Sequence, residues 1–104
     1  MRLSTLQYHV NAYMKKSPWL NFFMDYDPSG DITKTLCPVM AINGERDVQV
    51  ISSLNLIGIK GHLTENPKNF VKEYPALNHL FQHCTTGNVS EYRMIEETIS
   101  PEVL

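Results

Sequence analysis

The sequence predicts an α/β fold: a helical segment over residues 1–36, then over residues 37–104 one βαβ unit with parallel strands. Three observations carry that prediction. Apolar residues in the first third recur at helical spacing. Val39-Met40-Ala41-Ile42 is instead a short continuous apolar run closed by Asn43-Gly44, as expected of a strand buried on both faces. A second such run, Asn69 to Tyr74, follows after a helix-length stretch, so strand, helix and strand fit within about 35 residues and make one right-handed crossover.

The elements follow in order. Leu3, Leu6, Val10, Tyr13 and Met14 share one face of a helix from Leu3 to Met14, and Lys15 and Lys16 suit its C-terminus. Ser17-Pro18 is a start signal, serine at the N-cap and proline in the first turn, for a second helix carrying Trp19, Leu20, Phe22, Phe23 and Met24. That aromatic stripe is expected to pack into a core, with a wall over a ligand as the alternative. Asp27-Pro28-Ser29-Gly30-Asp31 breaks the pattern and leaves room for only a helical turn or two over Ile32 to Leu36. After the first strand, Ser52 or Ser53 is placed to cap a helix through Leu54, Leu56, Ile57 and Ile59, with Gly61 near its end. Asn66-Pro67 turns the chain into the second strand. Ser100-Pro101-Glu102 announces another helix two residues before Leu104. A two-stranded parallel sheet has open edges and little apolar cover, so the chain reads as a single partial domain, cut at both ends.

Composition narrows the function classes. The chain has 104 residues and a net charge of −2, with Lys and Arg scattered, so no basic stripe is available for nucleic acid. No apolar run approaches the roughly 18 residues that cross a bilayer, and the amino-terminal stretch is too polar for a secretory signal; no membrane association and a cytoplasmic location are expected. Cys37 and Cys84 form no C-x-x-C pair, and His9, His62, His79 and His83 have no metal-ligand spacing. Neither a metal nor a cofactor is implied.

Two residues can carry chemistry. Asp47 lies a few positions past the first strand, where Gly44 permits a sharp exit, and His79 lies a few positions past the second. If the strands are neighbours, both loops emerge at the same end of the sheet, where an acid can fix an imidazole in the tautomer that leaves its other nitrogen free to take a proton. On pattern alone an aspartate after a glycine turn is more often a turn former or a solvated acid, and a lone loop histidine more often a surface or hydrogen-bonded group. A small thiol enzyme using Cys84 with His79 or His83 is a weaker reading, since nothing nearby favours a thiolate.

The stretch from Leu36 to Asp47, Leu-Cys-Pro-Val-Met-Ala-Ile-Asn-Gly-Glu-Arg-Asp, resembles the penultimate strand and acid loop of the α/β-hydrolase superfamily. Leu77-Asn78-His79-Leu80-Phe81-Gln82 resembles the histidine loop after that family's last strand, and the order, acid before histidine, agrees. The likeness extends through Pro18-Trp19 and Tyr26-Asp27-Pro28, and through Ser90-Glu91-Tyr92 and Ile95 to Thr98. It departs at Val50-Ile51-Ser52, where relatives often have a proline. The resemblance implies the C-terminal part of an α/β-hydrolase fold, esterase-like or serine-aminopeptidase-like, its last two strands preceded by cap-like helices. It makes Asp47 the orienting acid and His79 the general base for a small-molecule ester or peptide substrate in the complete enzyme. The family's nucleophile sits in a G-x-S-x-G elbow, which this sequence does not contain. The expectation is a chain inactive alone, completed by a missing N-terminal part. The alternative is a non-catalytic remnant or interaction module that covers its open edges as a homo-oligomer, a dimer being the simplest.

Overall fold

The computed structural model describes residues 9, 11–13 and 16–104. His9, residues 11–13 and Lys16 are helical; the rest of the helix expected from Leu3 to Met14 lies outside the described residues. Helix α1 is Pro18–Asp25, and it starts as its sequence dictates: Ser17 Oγ accepts the Leu20 N–H at 3.2 Å, and Pro18 occupies the first turn, where its missing N–H costs nothing. Asp27 then accepts the Ser29 N–H at 2.9 Å and turns the chain into the short helix α2, Ser29–Lys34.

Strand β1, Met40–Gly44, pairs in parallel with β2, Phe70–Tyr74, in a register running from Met40↔Phe70 to Gly44↔Tyr74. Helix α3, Ser52–His62, makes the crossover and packs on both strands and on α2. Ala41 and Asn43, with Val71 and Glu73 beside them in the register, face α3: Asn43 reaches Asn55 on that helix, and the Ser52 hydroxyl donates to Glu73. The chain is thus α/β, with a two-stranded parallel sheet.

Several expectations are corrected. β1 is not buried on both faces: Met40 is 70% exposed and Phe70 beside it 44%, because only α3 covers the pair and no layer of described residues lies on the other side. Only the Tyr74 end of that second face is covered, by Phe81, whose ring meets Tyr74 edge-on with centroids 6.3 Å apart. α1 buries none of its residues. Its aromatics stack along the helix instead, Trp19 on Phe23 and Phe22 on Tyr26, and all four are exposed. Neither serine near residue 52 caps α3: the N-cap is Ile51, and Ser52 is drawn across to Glu73. Ser100 does stand at the N-cap with Pro101 in the first turn, but its hydroxyl donates to Glu102 and makes no capping bond, and Pro101–Val103 closes as a single 3₁₀ turn.

The interior is correspondingly polar. Among the described residues, Ala41, Leu56, Tyr74 and Leu77 are the buried apolar side chains, beside buried Asn43, Asp47, Ser52, Asn78, Gln82 and Ser100. Burial therefore concentrates where the carboxyl ends of the strands meet their loops. No helix among the described residues is long and apolar enough to cross a membrane.

Candidate active site

Asp47 and His79, singled out by their positions past the two strands, come together. His79 Nδ1 lies 2.8 Å from Asp47 Oδ2, although 32 residues separate them in the chain. Parallel pairing is the cause: β1 and β2 end side by side, so the segments leaving Gly44 and Tyr74 run alongside each other.

The two loops are stitched together along their length. Glu45 N–H donates to Tyr74 O at 2.9 Å and Arg46 N–H to Leu77 O at 2.8 Å, while the Ala76 N–H returns to Glu45 Oε1 at 3.0 Å. The Arg46 guanidinium reaches the Cys84 and Thr85 carbonyls at 2.6 and 3.2 Å. Two glycines make this approach possible. A Cβ on Gly44 would stand 2.4 Å from the Leu77 and Asn78 carbonyl oxygens; one on Gly87, whose φ is +82°, would stand 1.9 Å from Arg46 O.

Within the acid loop, Asp47 is 8% exposed and all its acceptor capacity is used. Oδ1 accepts the N–H groups of Gln49 and Val50, both at 2.9 Å; Oδ2 accepts from Asn43 Nδ2 at 3.2 Å and from His79. Burial pushes the carboxyl upward, but the Val50 N–H, the His79 ring and the Gln49 N–H outweigh it and hold Asp47 below the usual aspartate value. The Val50 N–H is one of the two on Oδ1, and a proline at that position would have none to give.

A buried pair holds the histidine loop. Asn78, fully buried, accepts the Leu80 and Gln82 N–H groups through Oδ1 at 2.9 and 3.0 Å and donates to Gln82 Oε1 at 3.0 Å. Gln82 Nε2 donates to Glu97 O at 2.8 Å and ties the loop to the segment that follows. Ala76 and Phe81, at the two ends of the loop, have positive φ of 61° and 57°, which the surrounding bonds enforce.

These contacts define a chemistry. An ionised Asp47 only accepts, so the proton between it and His79 sits on Nδ1 and the neutral imidazole carries its lone pair on Nε2. The His79 side chain is 37% exposed, and no described residue bonds to Nε2. Beside the pair lies an open cavity of about 200 Å³ lined by Ile42, Val50, Asn55 and Phe81 along with Asn43 and the pair itself. A larger cavity of about 380 Å³, between α2, β1 and α3, contains neither Asp47 nor His79. No hydroxyl or thiol among the described residues stands against Nε2. Cys84 turns away, its Sγ 3.5 Å from Ala76 O, and burial together with Glu91 pushes its thiol upward, opposite to what a nucleophile requires. His83 is engaged elsewhere, with Glu97 and Glu102. Both cysteines are free, and no cluster of metal-ligating side chains occurs among the described residues.

Sequence reasoning misses Asn43, Asn55, Asn78 and Gln82 as supports of the pair. Asn43 carries a usable signal, a polar side chain at the end of an otherwise apolar strand run; the other three carry none. No family model, curated protein or solved structure matches the chain, so the reading of the site rests on this geometry.

Proposed function

We propose that this chain supplies the acid and the general base of a serine α/β-hydrolase, and that the nucleophile and the oxyanion donors come from residues outside these 104. One observation carries the reading: a buried, fully bonded carboxylate holds His79 through Nδ1 at 2.8 Å, beyond the ends of two parallel strands and beside an open cavity, and leaves Nε2 without a partner among the described residues. In the complete enzyme, Nε2 takes the proton of a serine hydroxyl as that oxygen attacks an ester or amide carbonyl. It then returns the proton to the departing alcohol or amine, and Asp47 stays ionised throughout. Without a nucleophile the covalent route is closed, and missing oxyanion donors withhold roughly 3–4 kcal/mol more.

The test begins with the reading frame upstream of Met1. A strand followed by G-x-S-x-G and a helix is expected there, and the protein it encodes should react with a fluorophosphonate probe at that serine. Both Asp47→Asn and His79→Ala should slow the labelling severely. An upstream frame without a nucleophile, or labelling indifferent to His79→Ala, overturns the proposal. So does His79-dependent hydrolysis of a short-chain activated ester by the 104-residue chain, which would place the nucleophile inside it.

A second reading, a non-catalytic module that self-associates, is favoured by the uncovered apolar surface: Trp19, Phe22 and Phe23 on α1 and Met40 on the open sheet are each more than 60% exposed. It expects dimers or larger species in sedimentation at micromolar concentration, dispersed by Trp19→Ala. A sharply monomeric chain removes it.

A further inference from the structure

Asp47 is half held without any help from His79, because the Gln49 and Val50 N–H groups pin Oδ1. What keeps Oδ2 on the side of the imidazole is a separate matter. Among the described residues, the one other group on that oxygen is Asn43 Nδ2, at 3.2 Å, from a side chain 4% exposed. Its amide orientation is unambiguous. Asp47 Oδ2 and Val50 O, the latter 3.1 Å from the same nitrogen, only accept, so the nitrogen must face them and the oxygen must point away. That oxygen is met by Asn55 Nδ2 at 2.7 Å, from the first half of α3. The donors therefore run in one direction, Asn55 to Asn43 to Asp47, and end on the atom that accepts the His79 proton.

We propose that Asn43 is a positioning residue: with its amide oriented by Asn55, it fixes Asp47 Oδ2 against His79 and so sets the Nδ1–H tautomer that leaves Nε2 free. The inference rests on the reading of Asp47 and His79 as acid and base, but concerns their geometry, and it can be measured without turnover. Each asparagine has an independent reason to hold its place, Asn43 on β1 facing α3 and Asn55 on α3 facing the strand, so the acid is anchored to the crossover helix as well as to its own loop. Both Asn43 amide protons and its oxygen are used, as a buried amide requires.

The test is NMR of the His79 ring in the whole chain, reading the ¹⁵N tautomer signature and the exchange of the Nδ1 proton in mildly alkaline buffer. Asn43→Leu keeps the approximate size and removes the donor; Asn55→Leu, at a half-buried position, removes only the group that orients Asn43. Either variant should speed exchange of the Nδ1 proton about tenfold, the worth of one charge-assisted hydrogen bond, and shift the ring toward the Nε2–H tautomer. A purely structural role would lower the unfolding midpoint and leave both signals of the folded protein unchanged, which overturns the proposal. Asp47→Asn separates the two claims. If it abolishes the Nδ1 signal while the asparagine variants leave it intact, Asn43 is not positioning and the acid and base assignment stands. If it too leaves the signal intact, Asp47 is not the partner of His79 and both claims fall.

Discussion

Gly44→Ala tests how tightly the two loops are joined. The added methyl group would stand 2.4 Å from the Leu77 and Asn78 carbonyl oxygens, whereas ordinary van der Waals contact begins near 3.4 Å. The two strand exits must therefore separate by about 1 Å. Neither obstacle is a flexible side chain: both are backbone, in a segment already fixed by the Asn78–Gln82 bonds. Separation strains the Arg46 N–H to Leu77 O bond at 2.8 Å and the Glu45 N–H to Tyr74 O bond at 2.9 Å before it reaches Asp47 and His79. Overpacking costs about 1–3 kcal/mol and each of the two weakened bonds about 0.5–1.5 kcal/mol, so a loss of about 2–6 kcal/mol is expected.

Urea unfolding followed by far-ultraviolet circular dichroism reads this loss. Trp19 fluorescence is a poor reporter, since α1 buries nothing. Gly58→Ala is the matched control. Gly58 lies inside α3, and a methyl group there would have nothing within 4 Å, so the same substitution should stabilise by about 0.5–1 kcal/mol through helix propensity. Opposite signs at the two glycines are the expected outcome. An unchanged midpoint for Gly44→Ala, with the His79 Nδ1 proton as protected as before, would refute the claim that close loop approach holds the pair.

Other perturbations follow from the same contacts. Asn78→Ala takes the acceptor from the Leu80 and Gln82 N–H groups, the second of them buried, and should cost about 2–4 kcal/mol in urea unfolding. Ala76→Gly relieves a φ of 61° without removing the N–H bond to Glu45 and should raise stability by about 0.5–1 kcal/mol in the same assay. Asp47 has a lower folded than unfolded value, so its stabilisation is complete above about pH 3.8 and disappears as the pH falls through the lower folded value. A series of thermal midpoints should show wild type and Asp47→Asn separated above pH 3.8 and converging over that acid window.

What the sequence made legible was local or tied to strand ends. Ser17-Pro18 starts α1 because capping is settled within four residues, and β1, α3 and β2 appear where the apolar runs put them. The approach of Asp47 and His79 was legible because parallel pairing brings the two strand exits together; choosing these two residues rested on the family resemblance as well. What stayed hidden depends on distant partners. Ser52 reads as a cap until Glu73, 21 residues on, draws its hydroxyl from α3 to β2. The aromatic stripe of α1 reads as core because periodicity reports a face and is silent about what covers it.

Asn43 is the instructive case. In the sequence it closes a strand, beside a glycine, as any turn former would. In the fold it is buried at the strand's end, where an unpaired amide would cost about 1–3 kcal/mol. A polar side chain in that position must therefore have a partner on each side, and the carboxylate four residues on and the facing helix are the places to look. The strand ends point to the acid and the histidine; the buried amide beside them points to what holds the acid in place.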